Sequence, residues 1–200
     1  ANPFAITASS SGTIGGTNSL TLSGNGTLNS SSTLNIINTA ATITLSGALS
    51  GAGALTQNGS GGTLILSGAN TYTGATQVQA GTLSVQNAGA LGNNTNNTTV
   101  SVSSGAVLDF NFASGTLTNQ TTAITLNGTG ISNGGALTFS GTNDVVNNPI
   151  TLATATDIGG AGSGTLGGVI SGSGIALTKV GAGTITLSGA NTYSGGTSLN

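Results

Sequence analysis

Apolar and polar residues alternate along this chain in short bursts. In TITLSG, Thr184–Gly189, Ile185 and Leu187 fall on one side of an extended backbone and Thr184 and Thr186 on the other. That is the period of two a strand with one buried face requires. The same parity recurs at Leu83 with Val85, at Val100 with Val102, and at Leu108, Phe110 and Phe112, where Asp109 and Asn111 are expected to point to solvent. Runs of about five residues close on Ser-Gly, Asn-Gly or Gly-Gly steps, whose glycines accept the positive φ of tight turns. No window shows a capped helical period, and a glycine inside a helix costs about 1 kcal/mol. The prediction is an all-β chain.

The bursts repeat. GTLILSGANTYTGATQV, Gly62–Val78, returns as GTITLSGANTYSGGTSL, Gly183–Leu199. Upstream, SGAGALTQNGSG from Ser50 matches SGSGIALTKVGAG from Ser171 with one gap. A shorter core of two alternate apolar residues, then Ser or Asn, then Gly, stands at Leu20–Gly24, Ile43–Gly47, Ile124–Gly128 and Leu137–Gly141. The intervals from Leu22 to Leu45, Leu66, Leu126 and Leu187 are each close to one or three times a common unit. That unit is about 20 residues, and a solenoid demands it, since each turn sets the same position over the same neighbour. The shorter step from Leu126 to Phe139, close to two-thirds of the unit, fits if each coil carries several strands on different faces. An antiparallel sandwich has no reason for such a period. The expected fold is a parallel β-solenoid of roughly ten coils of about 20 residues, about 50 Å long.

Composition narrows the function. Lys179 is the sole cation, Asp109, Asp144 and Asp157 are the sole carboxylates, and His and Cys are absent, whereas an ordinary domain is about one-quarter charged. Nucleic-acid binding needs many cations to displace phosphate counterions and is excluded. A basic amphipathic membrane helix is excluded likewise, and no apolar run reaches spanning length, so no membrane insertion of this segment is expected. Disordered chains lack aliphatic residues; this one has them throughout and only Pro3 and Pro149. Stacked coils account for the missing charge, since like charges one strand spacing apart repel while hydroxyls and amides bond to their copies.

Candidate chemistry is sparse. Glycoside hydrolysis needs a carboxylate pair, and Asp144 with Asp157 is the pair weighed, with no Glu, His or Arg to tune it. Lys179 aligns with Gln57 and reads as a solvated turn. GGAGSG, Gly159–Gly164, resembles the start of a calcium-binding nonapeptide, but Gly164 occupies the place of the liganding aspartate. No enzyme activity, cofactor or metal is predicted. Tyr72 and Tyr193 each follow Gly-Ala-Asn-Thr; Asn70 and Asn191 are expected to bond their own backbone. The tyrosines are expected to cap the coil edge, with a sugar-stacking platform as the functional alternative. GNNTNNTT, Gly92–Thr99, reads as a protruding loop.

GTLILSGANTYTGATQVQAGTL, Gly62–Leu83, resembles the passenger-associated, autotransporter-associated β-strand repeat of bacterial autotransporter passengers. The matching motif is Ser67, Gly68, Ala69, Asn70, Thr71, Tyr72 and Gly74, repeated as Ser188, Gly189, Ala190, Asn191, Thr192, Tyr193 and Gly195. The resemblance implies a right-handed parallel β-helix, exported by a carboxy-terminal outer-membrane barrel, with the repeat aiding secretion and folding. It implies a bacterial cell-surface location, anchored at the outer membrane in the full-length protein. Residues 1–200 are then expected to be one β-solenoid segment of a longer repeat protein, with repeat copies at 50–83 and 171–200, the second ending in mid-repeat. The function expected is a non-catalytic passenger or stalk, structural and adhesive, toward a glycan or surface ligand the sequence does not name. The alternative is a self-assembling subunit of a fibre or sheath, associating through coil ends or neutral faces. Ice or mineral binding by Thr42 with Thr44 and Thr184 with Thr186 is set aside, because too few such pairs stand in consecutive coils.

Overall fold

Short runs of alternating Leu, Ile, Val and Thr bury one face and wet the other, so each becomes a strand that needs a partner on both edges. The computed structural model describes residues 2–6, 11–92, 99–117 and 121–200; most of the Gly92–Thr99 run lies outside the described residues. The chain supplies its own partners by coiling over three faces. The first coil passes from β1 (Phe4–Ile6) on face 3 to β2 (Ser11–Gly16) on face 1 and β3 (Leu20–Leu22) on face 2. The same order follows in β4 (Gly26–Leu28), β5 (Thr33–Asn38) and β6 (Thr42–Leu45), and β7 (Leu49–Ser50) is again on face 3. Two long strands, β8 (Ala54–Leu66) and β9 (Thr76–Val85), bend round the corner from face 1 to face 2. Then come β10 (Thr99–Val102), β11 (Val107–Phe110), β12 (Gly115–Thr116), β13 (Ala123–Leu126), β14 (Leu137–Phe139), β15 (Asp144–Val146), β16 (Ile150–Leu152), β17 (Thr156–Gly159) and β18 (Ser163–Leu166). The last are β19 (Ile170–Ser171), β20 (Leu177–Lys179), β21 (Thr184–Leu187) and β22 (Thr197–Leu199).

Every ladder between these strands is parallel. On face 2 one inward column runs Leu20, Ile43, Leu64, Leu83, Leu108, Leu137, Ile158, Lys179 and Leu199. It spans about eight turns, not the ten expected, and about eight strand spacings make roughly 40 Å. The difference lies in coil length. The shortest step of the column is Leu64 to Leu83 and the longest is Leu108 to Leu137, where the chain bulges through a 3-10 turn at Ile131–Asn133.

Inward residues from Leu28 to Leu177 form one continuous buried core, each large aliphatic side chain contributing about 1.5–3 kcal/mol. At its centre Phe110 packs on Phe139 with ring centroids 5.8 Å apart and edge-on against Phe112 at 5.9 Å, a favourable aromatic geometry. Burial declines in the last coil: Ile185 and Leu187 are half-buried and Leu199 is 81% exposed. No described helix is long and apolar enough to cross a membrane.

The columns differ from the expected ones. Leu66 stacks between Leu45 and Val85 on face 2, and the same column continues to Phe110 and Phe139. Leu126 belongs to the column Val78, Val102, Leu152 on face 1. Leu187 stacks on Leu166 and Val146 on face 3. The three leucines expected in one column occupy three faces, and Phe139, the residue that broke the period, is in register with Leu66. Because the central coils are longer than the rest, the stretch from Leu66 to Leu187 carries the chain five turns and one face further, not six turns.

Candidate functional site

The two copies of the repeat are built alike although they lie on different faces. In the first copy Asn70 follows β8 at the corner above Leu49. Its Oδ1 accepts the Leu49 backbone N–H at 2.8 Å and its Nδ2 donates to the Ala90 carbonyl at 2.7 Å. The amide thus replaces a rung of backbone ladder toward the coil below and the coil above. Next to it the Thr71 and Thr73 N–H groups donate to Leu49 and Gly51. In the second copy Asn191 Oδ1 accepts the Ile170 N–H at 2.9 Å, and Thr192 and Ser194 donate to Ile170 and Gly172. The expectation that these asparagine side chains bond their own turn is corrected: their partners lie in the adjacent coils.

Gly68 and Gly189 are needed for space. A Cβ on either would lie inside contact distance of the carbonyl oxygen of the glycine below, Gly47 or Gly168, and Gly47 stands in the same way over Gly24. Ser67 and Ser188 precede these glycines and donate their N–H groups to Leu45 and Leu166. Ala69 and Ala190 follow and are exposed. Gly74 and Gly195 approach the backbone at Gly53 and at Ile175–Ala176 just as closely.

Tyr72 is not an edge cap. Tyr72 is fully buried, and its hydroxyl bonds Thr76 Oγ1 at 2.6 Å. Tyr193 repeats that bond with Thr197 at 2.6 Å and is half-buried in the last coil. Desolvation pushes the Tyr72 phenol up to about 12, against the opposing effect of the Thr76 hydroxyl. A ring with no exposure offers no platform to a sugar, which removes Tyr72 from that role.

The charged residues fall elsewhere than expected. Lys179 is not in a solvated turn. It continues the inward column of face 2, and its Nζ donates to the carbonyls of Val180 at 3.0 Å and Gly181 at 2.6 Å. With Ile158, Leu177, Ile185, Leu187, Thr197 and Leu199 it lines an open cavity of about 80 Å³ at the end of the core. Its aligned residue, Gln57, is buried and donates from Nε2 to Asn38 Oδ1 at 3.2 Å and to the Gly62 carbonyl at 3.2 Å. Asn38 in turn donates to the carbonyls of Ala41 and Thr63. Both residues do the same work, a long side chain bringing an N–H donor to corner carbonyls. The alignment of Lys179 with Gln57 was the sequence signal for it.

Asp144 does not pair with Asp157. Asp144 lies on face 3 in register with Gly115 and Gly164, whereas Asp157 lies on face 2 in register with Thr178. The closer carboxylate is Asp109, whose charge adds to the upward shift at Asp144. Asp109 is 7% exposed, not solvated, and accepts hydroxyls from Ser84 at 3.2 Å, Thr138 at 2.8 Å and Ser140 at 2.7 Å. Burial raises its carboxyl above the usual range and those three donors oppose the rise. Two carboxylates buried in a wall present nothing to a glycan chain. Among the described residues no three His, Cys, Asp or Glu side chains cluster to hold a metal.

Comparison with known proteins agrees with the repeat geometry. The family model described as passenger-associated-transport-repeat matches residues 55–85 and 177–200, the segments that hold Asn70 with Tyr72 and Asn191 with Tyr193. The adhesin BmaC autotransporter of Brucella suis biovar 1 (strain 1330) is 39% identical over 148 residues, 72% of this chain. The chain spans about 4% of that relative's length. No solved structure matches. The two segments recognised by the family model and built on the same hydrogen bonds are autotransporter passenger repeats, members of the passenger-associated-transport-repeat family.

Proposed function

We propose that this chain is one segment of a longer, non-catalytic passenger at the bacterial cell surface, a neutral stalk that contributes to adhesion. The observation that carries this reading is the shared architecture of the two repeat copies: Asn to the coil below, Tyr to the Thr one strand start further on, glycine against glycine. Such a unit is complete within about one coil and its neighbours. Its two copies begin on different faces, so coils of unequal length join without a common column. The motif residues Ser67, Gly68, Ala69, Asn70, Thr71, Tyr72 and Gly74, with Ser188, Gly189, Ala190, Asn191, Thr192, Tyr193 and Gly195, are in this reading structural fasteners, which lets each coil template the next as the chain is exported. A 39% identical stretch in a protein named an adhesin and an autotransporter supports the surface location and the adhesive role; it does not favour the fibre alternative.

The test is to place the chain between a secretion signal and an autotransporter barrel and follow its display. Display on intact cells, sensitivity to added protease, and greater adhesion to host-cell monolayers than cells carrying the barrel alone are expected. Display without any gain in adhesion contradicts the adhesive role. Failure of display while the barrel alone inserts contradicts the passenger assignment.

A further inference from the structure

Asp144 is an inward-facing carboxylate beside the aromatic part of the core. It is fully buried, and neither oxygen makes a hydrogen bond of ordinary geometry. The groups nearest to favouring its charge are the backbone N–H groups of Phe112 and Ser114 in the coil below. Its neighbours in register, Gly115 and Gly164, carry no side chain, and the Phe139 ring fills the space beside Gly164. No cation faces it. Of the chain's four charged side chains, β11 contributes Asp109, and β12, β14 and β18 contribute none. Asp157 stands on β17, and Lys179 is occupied with the Val180 and Gly181 carbonyls on β20. A charge in such a place costs folding free energy that a proton removes.

We propose that Asp144 is a proton-operated fastener between the coils of β12 and β15, which makes this segment more stable in mildly acidic surroundings than at neutral pH. Most proteins behave the other way, because their carboxylates are paired and hydrogen-bonded in the native state. Here burial, reinforced by Asp109, raises the Asp144 carboxyl from 3.8 to about 6. The folded state therefore holds the proton more tightly than the unfolded one. Stability rises as pH falls through 6 and levels off below 3.8. Asp109 shifts in the same direction. The chain has no His, Glu or Cys, the residue types whose ordinary ionisation would overlap this window.

Thermal unfolding of the purified chain at pH 5.0 and 7.5, at equal ionic strength, tests this. The melting temperature is expected to be about 3–6 °C higher at pH 5.0. Asp144→Asn is expected to raise the pH 7.5 value toward the pH 5.0 value and remove most of the difference. Equal or lower stability at pH 5.0, or a pH difference unchanged in Asp144→Asn, overturns the proposal. Should Asp144→Asn not fold, carbon-13 carboxyl shifts of the unmodified chain decide. An Asp144 midpoint near 6 supports the fastener, and one at or below 4 overturns it.

Discussion

At the residue scale, Asn70 shows how a single side chain couples two coils. It is 5% exposed and serves Leu49 below and Ala90 above. Asn70→Ala strands one backbone N–H and one carbonyl in a buried corner, where each unmet group costs about 1–3 kcal/mol. The expected loss in chemical denaturation is about 2–4 kcal/mol for the two groups together. Asn191→Ala, at a half-buried site in the last coil, is expected to cost less than half as much; equal losses contradict the assignment. These partners were hidden in the sequence because an asparagine in a Gly-Ala-Asn-Thr turn looks the same whether it bonds its own turn or the next coil. The inward placement of Asp109's neighbours was plain from parity, yet its own burial was not. Parity says which way a side chain points and nothing about hydroxyls such as Ser84, Thr138 and Ser140 closing over it.

At the element scale, the strands follow from alternation and the corners from glycine. Gly24, Gly47 and Gly68 form a column in which each lacks room for a Cβ against the carbonyl of the residue below. Gly68→Ala therefore pushes two coils apart and is expected to cost about 1–3 kcal/mol, the usual range for overpacking. Ser67→Ala beside it, which leaves the backbone unchanged, is expected to stay within about 0.5 kcal/mol. Measured melting temperatures of the two variants compare these directly; a silent Gly68→Ala contradicts the close approach. Strand positions such as Ile43–Leu45, Leu83–Val85 and Thr184–Leu187 were legible because period two is local. Their faces were not. Leu66, Leu126 and Leu187 share a local pattern, but which face each reaches depends on the summed length of every coil between them. The bulge at Ile131–Asn133 holds one isoleucine, which is exposed and has no alternating apolar partner beside it to announce the turn.

At the scale of the whole molecule, about eight parallel turns enclose one core, so stability is a sum of coil-to-coil interfaces. Amide hydrogen exchange is expected to be slowest from Leu28 to Leu177, where inward residues are almost wholly buried, and faster across Thr184–Leu199, where they are not. Uniform protection over both regions contradicts the graded core. The most direct test of the stacked, three-faced solenoid is oxidative cross-linking, since the chain has no cysteine of its own. Adjacent parallel strands place registered Cα atoms about 4.8 Å apart, within reach of a disulfide. Three double-cysteine variants report one face each: Ser101 with Thr125, Thr44 with Ile65, and Thr165 with Thr186. Each pair is expected to close to a disulfide in the folded protein, while Thr125 with Thr165, on different faces, stays reduced. Failure of all three registered pairs, or closure of the mismatched one at the same rate, contradicts the solenoid.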